Sequence, residues 1–148
     1  IMLIEKKVQI NAIKTDDYRA GKIGNTVVIT QGSFAVYVPE EECRLDISKL
    51  KEIPINMLEE YSPENLGSLL RPVELTNKVV VLRKSTARLL VNKKTNKKIW
   101  VNKKYLKMFK GCGFHLVDTG KKWDILACTR GGRIIGIIFP MDIHGEWE

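Results

Sequence analysis

Apolar residues in this chain fall in short runs with strand character. Residues 27–30 and 34–38 are β-branched and aromatic stretches around Gln31, Gly32 and Ser33, the pattern of two strands joined by a tight turn. Similar runs at 79–82, 89–92, 98–101, 114–117, 123–128 and 134–139 predict further strands. Lys94, Thr95, Asn96 and Lys97 separate one pair, and Asp118, Thr119 and Gly120 another. Gly131 and Gly132 join the last two, a favourable pair where both turn positions take positive φ. A three-stranded meander is therefore expected to close the chain.

Helical periodicity is read in two places. Asp46 can cap a helix over 47–53 that resumes at 55–61 beyond Pro54. Asn102 can cap a second over 103–110, with Gly111 as its stop. At about 100° per residue, Lys103, Lys104, Lys107 and Lys110 share one face of that helix, while Tyr105, Leu106, Met108 and Phe109 share the other. Segment 62–72, punctuated by Pro63, Gly67 and Pro72, reads as a crossover between half-units at about 1–61 and 73–143. The expected architecture is a sheet-dominated α+β single domain with two principal helices.

The halves echo each other. Segments 32–39 and 132–140 share a turn glycine (Gly32, Gly132), an apolar strand and a terminal proline (Pro39, Pro140). Segments 45–53 and 100–109 share a cap residue followed by an amphipathic stretch. Such a repeat predicts two similar units sharing one core. Over residues 99–143, the capped run of Asn102, Tyr105 and Leu106, then two strands, then Pro140 and Met141, resembles the closing part of a DNA sliding clamp (polymerase processivity factor) domain. That resemblance implies a pseudo-duplicated βαβββ fold whose helices pack on the sheet and turn basic faces to duplex DNA, in the service of DNA replication. Clamp subunits carry two or three such domains and this chain has room for one, so a ring would require a homo-oligomer. The expected first helix offers only Lys49 and Lys51 beside Glu52.

Charge sharpens the picture because it is unevenly placed. Residues 1–82 carry 10 Lys+Arg against 12 Asp+Glu, residues 83–133 carry 15 against 2, and the overall net charge is +8. A basic block of this kind is the electrostatic footprint of a polyanion-binding surface. Arg83, Lys84, Arg88, Lys93, Lys94, Lys97 and Lys98 would widen the stripe formed by Lys103, Lys104, Lys107 and Lys110. The alternative is a protein-interaction or regulatory module that occupies an acidic surface of a partner, such as a replication protein.

Other classes find less support. With 44% hydrophobic residues in 148, the chain can bury a core, and no apolar run is long enough to span a bilayer. Residues 1–7 lack the apolar run and cleavage site of a secretion signal. Three cysteines, Cys43, Cys112 and Cys128, make no disulfide framework, so a cytoplasmic protein is expected. No phosphate-binding glycine loop, zinc-protease motif or nucleophile elbow occurs. Cys112 and His115 have ligand-like spacing, with Cys128 and His144 as completing ligands, but Cys128 sits in an apolar strand and His115 alternates outwards. Asp16 and Asp17 form a pair that a magnesium nuclease could use and that a polar turn explains equally well. Trp100, Tyr105, Phe109 and Trp123 interleave with the basic block, where core packing outweighs base stacking for the helical pair. No catalytic residue, metal or cofactor is expected.

Overall fold

Five consecutive buried positions in one short strand require cover on both faces of its sheet, and three strands here show that pattern. The computed structural model describes residues 2–121 and 124–143. Helix α1 (Ile4–Lys14) leads into a meander of β1 (Arg19–Ile23), β2 (Thr26–Gln31) and β3 (Phe34–Pro39). Single 3-10 turns at Glu40–Glu42 and Ile47–Lys49 lead to β4 (Lys51–Glu52), α2 (Ile55–Glu60), α3 (Pro63–Gly67) and β5 (Leu70–Pro72). Then come β6 (Glu74–Val81), β7 (Thr86–Val91) and β8 (Lys98–Asn102). Helix α4 (Lys103–Met108) opens a second meander of β9 (Gly113–Val117), β10 (Ile125–Arg130) and β11 (Arg133–Ile138).

The two meanders meet through their last strands. The central sheet runs β4-β1-β2-β3-β11-β10-β9-β5, and β6-β7-β8 form a separate antiparallel sheet. At the seam, Gly136 pairs with Val36, Ile137 with Ala35 and Ile138 with Phe34. Alternation then sends the strand side chains to two cores. Phe34, Val36, Val38, Leu126 and Ile135 pack with Ile4, Val8 and Ala12 of α1, with Leu106 and Phe109, and with Leu90, Ile99 and Val101 of the smaller sheet. Ala35, Tyr37, Ile125, Ala127 and Ile137 pack on the opposite side with Leu58 of α2 and Leu66 of α3. The expected sheet-dominated α+β fold is what the chain adopts.

The repeat is a helix followed by a three-stranded meander, α1-β1-β2-β3 and α4-β9-β10-β11. The expected match of segments 32–39 and 132–140 corresponds to β3 and β11, which lie side by side. Its helical counterpart was misplaced, because the partner of α4 is α1 and not segment 45–53. Among the described residues no strand precedes α1, whereas β8 runs directly into α4.

The helix expected over 47–61 is also corrected. Asp46 does cap, accepting a hydrogen bond from the Ser48 N–H at 3.1 Å, but the turn it starts ends at Lys49. Lys51 and Glu52 pair in parallel with Arg19 and Ala20, and only Ile55–Glu60 is helical. Pro54 explains the break, since it disfavours helical geometry at the preceding residue. The supposed crossover at 62–72 supplies structure of its own, as α3 and β5.

One ion pair ties the halves across the first core. Arg130, at the end of β10, makes a forked pair with the Glu5 carboxylate of α1, at 2.6 Å and 3.0 Å. Glu5 is only 14% exposed, so its charge needs this partner. Arg130→Met should lower unfolding free energy by about 1–3 kcal/mol, by the usual worth of hydrogen bonds to a charged group. Chemical denaturation checks this, and a loss within about 0.5 kcal/mol would show the pair to be ornamental.

Candidate nucleic-acid interface

The lysine helix forms where its cap residue stands. The Asn102 side-chain oxygen accepts from the Lys104 N–H at 2.9 Å, and Gly111 takes φ +89° beyond the helix end. Helical geometry ends at Met108, two residues before the expected boundary. Leu106 and Phe109 are buried and Tyr105 and Met108 half-buried, while Lys103, Lys104, Lys107 and Lys110 are exposed. The apolar face seats against the seam: Tyr105 packs on Phe34 with ring centroids 5.1 Å apart. A Cβ at Gly136 would overlap the Phe109 ring and stand 2.7 Å from the Ala35 carbonyl oxygen. Glycine at that position leaves room for the ring against the strand.

None of the four lysines forms an ion pair with a carboxylate among the described residues. Lys104 holds its ammonium over the Tyr105 ring at 5.9 Å, which leaves its positive charge uncancelled. Helix α1 lies on the same side of the central sheet, and it exposes Lys7 and Lys14 one heptad apart. These two were missed from the sequence. Their signal is the stripe of Ile4, Val8 and Ala12 at helical spacing, which assigns the lysines to the outer surface.

Strand register divides the remaining basic residues into two groups. Ala87 pairs with Asn102, so Arg83 and Lys84, in the turn before β7, stand at the end of the small sheet from which α4 departs. Both are exposed. Val91 pairs with Lys98, so Lys93, Lys94, Lys97 and Lys98 gather at the opposite end. There Lys93 lies 3.0 Å from Glu74, and Lys97 lies 3.3 Å from Asp118 and 3.7 Å from Asp124. The Gly120 N–H, and after it the Lys97 ammonium, hold the Asp118 carboxyl below the usual carboxylate range. Arg88 is half-buried and donates from Nε to the Thr76 carbonyl at 2.9 Å, bracing its own hairpin. Among the described residues Lys94 and Lys98 are exposed without ion pairs, as are Arg83 and Lys84. Unpaired charge therefore stands at both ends of the small sheet and is densest on α4.

The other chemical candidates are scattered. Among the described residues no three His, Cys, Asp or Glu side chains gather as a metal-binding group, and His144 lies outside them. His115 is half-buried rather than solvent-facing, its Nδ1 lying 3.5 Å from the Thr129 hydroxyl. Asp17 lies in an exposed turn, and hydrogen bonds from Thr15 and from the Gln31 amide, the latter at 2.7 Å, hold its carboxyl below the usual carboxylate range. Burial pushes the Cys128 thiol well up and raises that of Cys112, the opposite of what a nucleophile needs. Trp100 is half-buried in β8, and Trp123 and Trp147 lie outside the described residues. A thiol-titrating disulfide reagent should accordingly leave Cys128 unmodified in the native protein and modify it only with denaturant. Rapid native modification of Cys128 would contradict its burial.

Protein-family models, curated proteins and solved structures yield no match to this chain. No helix among the described residues is long and apolar enough to cross a membrane.

Proposed function

We propose that this is a non-enzymatic, clamp-like protein that binds duplex DNA through its phosphates. The observation that carries the reading is the face of α4, where Lys103, Lys104, Lys107 and Lys110 are exposed without carboxylate partners among the described residues. Lys7 and Lys14 are exposed on α1, which packs on the same side of the central sheet, and Arg83 and Lys84 flank the start of α4. Each ammonium that meets a phosphate releases condensed counterions, which supplies affinity but carries no base information. The short helix keeps the lysine ammoniums on a surface braced from beneath by Leu106 and Phe109, so they approach the duplex as an array. The repeated helix-and-meander order on one sheet supports the clamp-like element of the reading and, with it, a place in DNA replication. Three free thiols accord with a reducing cytoplasm.

Fluorescence anisotropy on two duplexes of equal length and unrelated sequence tests this. Affinities should agree, and log K should fall against log salt with a slope of about −0.9 per phosphate contacted. For four contacts that is a loss of about 10²-fold between roughly 50 and 200 mM salt. Absence of binding at low salt, or an affinity indifferent to salt, would transfer the basic surface to an acidic protein partner.

A further inference from the structure

We infer that α1 joins two copies of this chain through its outer, apolar seam. Helix α1 has two such seams. Ile4, Val8 and Ala12 face its own sheet. Leu3, Ile10 and Ile13 point outwards, with Leu3 53% and Ile13 74% exposed. With Lys6 they occupy successive a, d, a and d heptad positions, the spacing a helix presents to another helix. A single exposed isoleucine is ordinary; Ile10 and Ile13 on the helix, with Leu3 at its cap, make an apolar stripe available for contact.

The seam borders a groove of about 570 Å³ whose far wall is Val38 and Leu45. Charge at this groove identifies the occupant. Lys6 and Arg44 line it together with Glu41 and Glu42, and all four are exposed without ion pairs among the described residues. Two bases and two acids around an apolar stripe are complementary to themselves under a two-fold axis, which brings Lys6 of one copy to the glutamates of the other. A basic or an acidic foreign ligand would leave half of these charges unmatched, and phosphate would meet the glutamates. Lys103, Lys104, Lys107 and Lys110 do not line the groove, so pairing through α1 leaves the α4 face open. Lys7 and Lys14 flank the seam at e positions, so the two readings meet on α1 and are independent only at α4.

Sedimentation equilibrium in the absence of DNA tests it. The parent should associate reversibly to a dimer through the micromolar range. Ile13→Glu should abolish dimerisation while keeping the melting temperature that the parent shows at concentrations too low for it to associate, since the side chain it replaces contributes little to the folded monomer. Lys6→Glu should weaken association by about tenfold, and adding Glu41→Lys or Glu42→Lys should restore it. A monomer throughout the range overturns the inference and leaves the seam to a different protein. A dimer indifferent to Ile13→Glu also overturns it, because the contact then lies elsewhere. If neither second exchange restores what Lys6→Glu loses, the two-fold pairing of charges is wrong.

Discussion

Phe109→Ala should destabilise the fold by about 3–5 kcal/mol, a large share of what a domain of this size possesses. The ring is fully buried, and it lies on Gly136 in the strand that joins the two meanders. Truncation removes apolar contact and leaves a void that α4 cannot fill, because Asn102 holds the helix start to β7 of the smaller sheet and Tyr105 rests on Phe34. Urea denaturation should show a lower midpoint with an unchanged slope, as expected when stability alone is altered. Gly136 supplies the control. Gly136→Ala in the parent pushes a methyl into the ring and towards the Ala35 carbonyl oxygen, whereas in the Phe109→Ala background the ring part of that clash is gone and only the backbone part stays. The second substitution should therefore cost less in the double variant than alone, a coupling expected only between touching residues. A loss below about 1 kcal/mol for Phe109→Ala would mean that the helix does not seat there.

Changing Lys103, Lys107 and Lys110 together to Gln should leave the melting temperature close to that of the parent while DNA affinity falls sharply. The three side chains are exposed and without carboxylate partners among the described residues, so their removal costs the fold within about 0.5 kcal/mol each. Binding should lose up to three phosphate contacts, and the salt slope should shrink by up to about 2.7. In practice the variant would be about 40-fold less sensitive than the parent to a change from roughly 50 to 200 mM salt. Leu106→Ala separates the two effects, since it weakens packing by about 2–5 kcal/mol and removes no phosphate contact. If the triple variant holds DNA as tightly as the parent, α4 is not the contact surface.

The contrast between the two outer helices shows what was legible in the sequence. Helix α4 announces itself through a capping Asn102, a clean separation of lysines from apolar residues, and Gly111 past its end. Helix α1 has no such start: Leu3 occupies its cap position and makes no side-chain cap bond. Its apolar residues also lie on two sides, which blurs the period that marks an amphipathic helix. Segment 47–53 failed for the opposite reason. Its cap was genuine, but a cap fixes only where a helix can begin, and the backbone of Lys51 and Glu52 found partners in β1 instead. Most strands were legible because β-branched runs and glycine turns are local signals. The seam between β3 and β11 was not, since nothing local specifies a partner roughly 100 residues away. The lysine stripe was visible for the same local reason as α4. The ion pairs of Lys93 and Lys97 depend on register and on a distant loop, so sequence ranked them equal to the unpaired lysines.

That seam also sets a schedule for synthesis. The first meander leaves the ribosome with β3 as its last strand, apolar on both faces and unpaired on one edge. Its partner β11 is made roughly 100 residues later, a wait of about 5–20 s at ordinary elongation rates. Through that interval the nascent chain displays a bare strand edge of the kind that pairs with other chains. Closure itself must bring together segments far apart in sequence, which slows folding relative to a protein of local contacts. Yield of native protein should thus depend on the density of nascent chains, and slower, cooler expression should favour the correct junction over edge-to-edge aggregates.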